Sequence, residues 1–112
     1  MDRRKELKDE YPQRKVTGGI YKVTNQHNGM YLFNYVPDIR AKQNAFQFAV
    51  SSATVFDNRL RKDWEAYGAG DFAFEVLETL DKKKDQTQEQ YLADLQALSE
   101  IWDEKLDPSK RY

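Results

Sequence analysis

The residue pattern predicts an α+β domain in which a small antiparallel sheet packs with helices, in the order α-β-β-α-α-β-α. Three observations predict it. Two short runs rich in aromatic and β-branched residues, Ile20-Tyr21-Lys22-Val23-Thr24 and Met30 to Val36, flank a polar turn. Apolar residues then recur at helical spacing over two stretches, Ile39 to Val50 and Phe56 to Tyr67. A third strand-like run, Phe72 to Thr79, precedes a long closing helix.

The elements follow in order. Asp2 to Tyr11 is dense in both charge signs and in good helix formers, and Pro12 ends it, so it reads as a solvated helix or contact arm. Gly18-Gly19 punctuates the chain before the first strand. The turn residues Asn25 to Gly29 join the first two strands into an antiparallel hairpin. Asp38 is the expected cap of a helix reaching about Val50, and Ser51 to Thr54 breaks it. The next helix carries Phe56, Leu60, Trp64 and Tyr67 and stops at Gly68. Asp81 to Gln88 reads as a polar loop. The last helix, to about Leu106, presents Tyr91, Leu95, Leu98 and Trp102 as a core stripe. The expected organisation is an arm over residues 1–17, a domain over 18–108 and a tail over 109–112.

Composition narrows the function. With 112 residues, 39% hydrophobic and 33% charged, the chain has room for one modest core. It contains no cysteine, which removes disulfides, thiolate nucleophiles and cysteine zinc sites. A single histidine, His27, sits in the turn and excludes paired-histidine metal sites. No apolar run approaches a bilayer span and no signal core follows the charged start, so no membrane association and a cytoplasmic location are expected. The formal net charge of -1 lowers the expectation of tight, non-specific DNA binding. No phosphate-cradling glycine loop, nucleophile elbow or calcium loop is present.

A set of short motifs then points to a family. Gly19-Ile20-Tyr21 opens the first strand, and Asn28-Gly29 lies in the hairpin loop. Leu60 to Gly68, Phe72 to Glu78 and the closing run Trp102-Asp103-Glu104-Lys105-Leu106-Asp107-Pro108 follow in order. From about Gly19 to Pro108 the chain resembles the GIY-YIG nuclease domain, especially the small stand-alone bacterial members with a charged N-terminal helix. The resemblance implies a three-stranded antiparallel sheet flanked by helices and, in an intact member, Mg²⁺-dependent hydrolysis of DNA phosphodiesters. Such a member supplies two tyrosines from the paired strands, an arginine and a histidine or tyrosine from the first helix, and a metal-holding glutamate.

Counted without gaps, those positions fall on Tyr21, Leu32, Lys42, Phe46 and Ser99, and the glycine of the second triplet falls on Asn34. Only Tyr21 is retained. Tyr31 is adjacent to Leu32, but alternation along a strand points it to the opposite face. Lysine lacks the planar fork that suits phosphate. Phenylalanine neither gives nor takes a proton, and a lone hydroxyl is a poor substitute for a Mg²⁺ carboxylate. None of the five positions is expected to be catalytically competent, and neither a bound metal nor any other cofactor is expected.

Three functional readings stay open. The first is a non-catalytic interaction module, in which Met30, Leu32, Asn34 and Phe46 form an apolar patch for a protein partner or a homodimer. The second is nucleic-acid binding without cleavage through Arg40, Lys42, Arg59, Arg61 and Lys62, aided by Arg3, Arg4, Arg14 and Lys15. The third is a rewired metal-dependent endonuclease that uses Tyr21, Lys42, Mg²⁺ and a relocated carboxylate from Glu75, Glu78 or Glu100. Glu100 itself reads as a solvated carboxylate, rotated about 100° around the helix from Ser99.

Overall fold

The alternation of buried and polar residues resolves into one sheet with helices on both faces. The computed structural model describes residues 16–112. Among them the order is β-β-α-α-β-α: β1 (Gly18–Asn25), β2 (Tyr31–Val36), α1 (Ile39–Ser52), α2 (Arg61–Tyr67), β3 (Phe72–Leu80) and α3 (Gln88–Lys105). The expected helix over Asp2 to Tyr11, and the basic residues Arg3, Arg4, Arg14 and Lys15, lie outside the described residues. The sheet has the order β2-β1-β3, with both neighbours antiparallel to β1.

Glycine explains how β1 fits at the centre. A β-carbon at Gly19 would collide with the Glu78 carbonyl, and one at Gly18 with the Tyr91 hydroxyl and the Val36 carbonyl. The Gly18-Gly19 pair is therefore part of the strand, where close approach requires it, and not a break before it. The Tyr91 phenol ties this corner together. It accepts from the Gly18 amide at 2.6 Å and donates to the Leu80 carbonyl at 2.6 Å.

Each face has its own core. On one face Tyr21, Val23, Leu32, Ile39, Phe46, Leu60, Trp64 and Phe72 pack together beneath α1 and α2. On the other, Ile20, Tyr31 and Phe33 pack against Leu98 and Trp102 of α3 and against Leu106, which begins the closing segment over residues 106–112. A register shift between Ile20 and Tyr21 pairs Ile20 with Glu78 but Tyr21 with Val76, so β3 carries an extra residue there. The bulge leaves both Leu77 and Glu78 on the α3 side, where the Trp102 indole donates to Glu78 at 2.8 Å.

Caps set the helix limits. Asp38 accepts from the Ala41 amide at 3.0 Å, and α1 ends two residues beyond the expected Val50, closed by Ala53 in a left-handed conformation (φ 57°). Thr87 and Gln90 form a reciprocal capping box on α3. The second helix is shorter than its apolar spacing implies. Asp57 accepts from the Arg59 amide and starts a 3₁₀ turn over Asn58–Leu60, so Phe56 precedes the helix rather than belonging to it.

Residues 109–112 are tied into the fold and do not trail from it. Arg111 forms a parallel bridge with Tyr31, and the Tyr112 amide donates to the Tyr31 carbonyl at 2.9 Å. The Tyr112 phenol donates to Asp63 at 2.6 Å and accepts from the fully buried Asn25 at 3.0 Å.

Candidate functional site

Tyr21, the one retained tyrosine, lies in the middle strand with 1% of its surface exposed. Its ring stacks on Phe74 at 5.2 Å and meets Phe56 edge-on at 6.4 Å. Burial, reinforced by the Asp57 carboxylate, pushes its phenol up to about 12. Such a phenol stays protonated across the neutral range and has little access to water.

Leu32 and Phe46 join the same core at 3% and 7% exposure. Phe46 contacts Phe56, Phe74 and Trp64 with centroid distances of 5.3, 5.5 and 6.0 Å. The expected apolar contact patch of Met30, Leu32, Asn34 and Phe46 is therefore not a surface. Two members lie inside the core, Met30 is half-buried in the hairpin loop, and Asn34 is half-buried on the edge strand. The reason is α1, whose Phe46 face closes directly over β1 and β3. Tyr31 points to the α3 face, as strand alternation requires, and donates to the Asp107 carbonyl at 3.0 Å.

A charged rim borders Tyr21. The Lys42 ammonium lies 5.9 Å from the centroid of Tyr21 and 5.3 Å from that of Phe56. Arg59 makes a two-pronged contact with Asp57 at 3.1 and 2.9 Å, which holds the Asp57 carboxyl below its ordinary range. Asp57 is not among the candidates that the sequence singled out. The available signal was its position as a cap two residues before Arg59.

The remaining candidates are scattered. Arg61 pairs with Glu65 at 3.4 Å, while Arg40 and Lys62 are exposed. Glu75 pairs with Lys22 at 3.9 Å on the sheet face away from Tyr21, and Glu78 accepts from Trp102. Glu75 and Glu78 thus face the α3 side and do not join Tyr21.

Ser99 and Asn34 share a different place. Both line a hollow of about 230 Å³ at the β2 edge, with Phe33, Tyr35, Gln96, Glu100, Asp103 and Arg111. The Ser99 hydroxyl donates to the Gln96 carbonyl at 2.6 Å, and Asp103 accepts from Arg111 at 2.8 Å. Among the described residues no group of three histidine, cysteine or acidic side chains is placed to hold a metal ion. The Mg²⁺ implied by the nuclease resemblance does not fit these groups. The serine offers a hydroxyl engaged elsewhere and Asp103 is neutralised by Arg111, so Glu100 is left as a single exposed carboxylate with no second ligand grouped beside it.

With the geometry in place, the class of fold is clear: a three-stranded antiparallel sheet with three helices, of the GIY-YIG nuclease type. The particular likeness is to the solved catalytic domain of the homing endonuclease I-TevI. That match covers 85% of this chain and 95% of that domain, with a TM-score of 0.59 and 17% identity. A mutant form of the same catalytic domain matches over 72% of this chain and 86% of its own, with a TM-score of 0.47 and 18% identity. No protein-family profile and no curated protein matches the sequence. No helix among the described residues is long and apolar enough to cross a membrane.

Proposed function

We propose that this chain is a non-cleaving GIY-YIG-like domain that serves as a binding module. One observation carries the reading. The positions that would supply the two strand tyrosines and the second helix group of an intact nuclease are Tyr21, Leu32 and Phe46, and all three are buried in one aromatic core. A water nucleophile needs a wet cleft and groups able to move its proton. Here that volume is filled with carbon, and the one phenol present is held neutral.

The test is a cleavage assay on plasmid and branched DNA with Mg²⁺ or Mn²⁺, with wild type beside Tyr21→Phe. No cutting by either protein is expected. Metal-dependent cutting that disappears in Tyr21→Phe would sink the reading and restore a rewired endonuclease.

Nucleic-acid binding without cleavage is the second reading, favoured by the Lys42 ammonium above the Tyr21 and Phe56 rings with Arg40 on the same helix. Arg59 and Arg61 are already paired with Asp57 and Glu65, which weakens their call on phosphate.

A further inference from the structure

Gln96, Ser99, Glu100 and Asp103 recur at helical spacing, so they form a polar stripe on α3. The stripe faces the β2 edge across the 230 Å³ hollow, whose other wall contains Phe33 and Tyr35. Arg111 completes the lining. Its guanidinium carbon lies 4.6 Å from the centroid of the Phe33 ring, and its Nη1 donates to Asp103 at 2.8 Å.

A guanidinium laid over an aromatic ring and bonded to a carboxylate is how proteins recognise arginine. The hollow already holds one such group, delivered by the chain itself. Two features make the arrangement exchangeable. The Arg111–Asp103 pair is about half exposed, which is the regime of weak ion pairs. Glu100 lines the same hollow with no hydrogen-bond or ion-pair partner among the described residues, so the hollow contains two carboxylates and one guanidinium, which is bonded to Asp103. The surplus negative charge favours an incoming cation.

We propose that this hollow is a guanidinium site that Arg111 occupies in cis, and that an arginine side chain of a partner polypeptide enters by displacing it. Tyr112 keeps the segment docked through Asp63 and Asn25 while Arg111 swings aside. A lysine fits less well, because an ammonium lacks the flat fork that stacks on Phe33 while bonding to a carboxylate. The inference rests on the binding-module reading for a polypeptide partner. Its test measures guanidinium binding and not DNA cleavage, so each fails separately.

The experiment is an NMR titration of the ¹⁵N-labelled full chain with Nα-acetyl-argininamide and Nα-acetyl-lysinamide. Wild type is compared with Arg111→Gln, Arg111→Lys and Glu100→Gln, and unchanged β1 resonances show that each variant is folded. In Arg111→Gln the arginine probe should shift the Ser99, Glu100 and Asp103 amides saturably, about tenfold more tightly than in wild type, because the internal competitor is gone. Arg111→Lys should move in the same direction by less, and Glu100→Gln should weaken binding. Absence of a saturable shift in Arg111→Gln overturns the proposal. So does an equal response to the lysine probe. A single-stranded oligonucleotide that moves these amides where the arginine probe does not would overturn the partner assignment.

Discussion

Between the sheet and its helices α1 and α2, Tyr21 and Leu32 of the strands and Phe46 of α1 are 1%, 3% and 7% exposed, interlocked with Phe56, Trp64 and Phe74. At the β2 edge, Asn34 and Ser99 stay half-buried beside open space, in a hollow whose α3 wall is entirely polar. Both regions hold positions onto which the motif counting projects residues of the GIY-YIG pattern, yet the two are built in opposite ways. One is core. The other is a polar surface with a shape. Apolar substitutions at facing positions add burial and fill the space between them, whereas a serine and an asparagine leave space that solvent or a ligand can use. Changes on the closed side should therefore be read in stability, and changes on the open side in binding.

The largest effect tests the closed side. Phe46→Ala removes a ring that touches three other aromatic rings, so it should destabilise the fold by about 3–5 kcal/mol. Urea unfolding followed by circular dichroism measures it. A loss below about 1 kcal/mol would mean that Phe46 lies at a surface, and would return the Leu32 and Phe46 face to the role of a docking patch.

An intermediate effect probes the join between the two regions, where the closing segment meets α2. Tyr112→Phe removes the donor to Asp63 and the acceptor for Asn25, and should cost about 1–3 kcal/mol. Its pH dependence is the sharper signature. The hydrogen bond from Tyr112, with those from Asn28 and Asn25, holds the Asp63 carboxyl below its ordinary value. A carboxyl whose folded value is depressed contributes fully above the ordinary value, near pH 4, and loses that contribution as pH falls through the folded value. Wild type should thus lose stability more steeply than Tyr112→Phe below about pH 4. Asp57 and Asp107 are depressed as well, so the difference between the two proteins, not either curve alone, reports on Asp63. Parallel curves would break the assigned link.

This network shows where sequence reading stops. The strands, the Asp38 cap and the Tyr91, Leu95, Leu98 and Trp102 stripe were legible because each is encoded by neighbours at a fixed period or by a local cap. Tyr31 opposite Leu32 followed from alternation alone. Residues 109–112 read as a tail because four mostly polar residues carry no periodicity, and their partners Tyr31, Asn25 and Asp63 lie far away along the chain. Similarly, gapless counting gave the identities at positions 32 and 46 but not their burial. A leucine or phenylalanine facing the space between sheet and helix is exposed if that space stays open and core if the opposite wall closes on it, and only the fold decides between them. The Arg111–Phe33–Asp103 arrangement was hidden for the same reason, since its three members come from β2, α3 and the closing segment.

The smallest effects separate two cations that sequence reading grouped together as phosphate contacts. Arg61 pairs with Glu65 one helical turn away, at 3.4 Å, with more than half of each side chain exposed. Exposed pairs of this kind contribute little, so Arg61→Ala should change stability by no more than about 0.5 kcal/mol. Lys42 is half-buried, with its ammonium near two rings of the closed core. Lys42→Met keeps most of the apolar stem and removes the charge, and should cost about 0.5–1 kcal/mol. Urea unfolding of the two variants under identical salt decides the ranking. Equal losses would mean that the aromatic core does not hold the Lys42 ammonium, leaving that charge as available to a phosphate as any on the surface. A larger loss at Lys42 would mean that its charge is already committed to Tyr21 and Phe56 and is less available to a phosphate than that of Arg61.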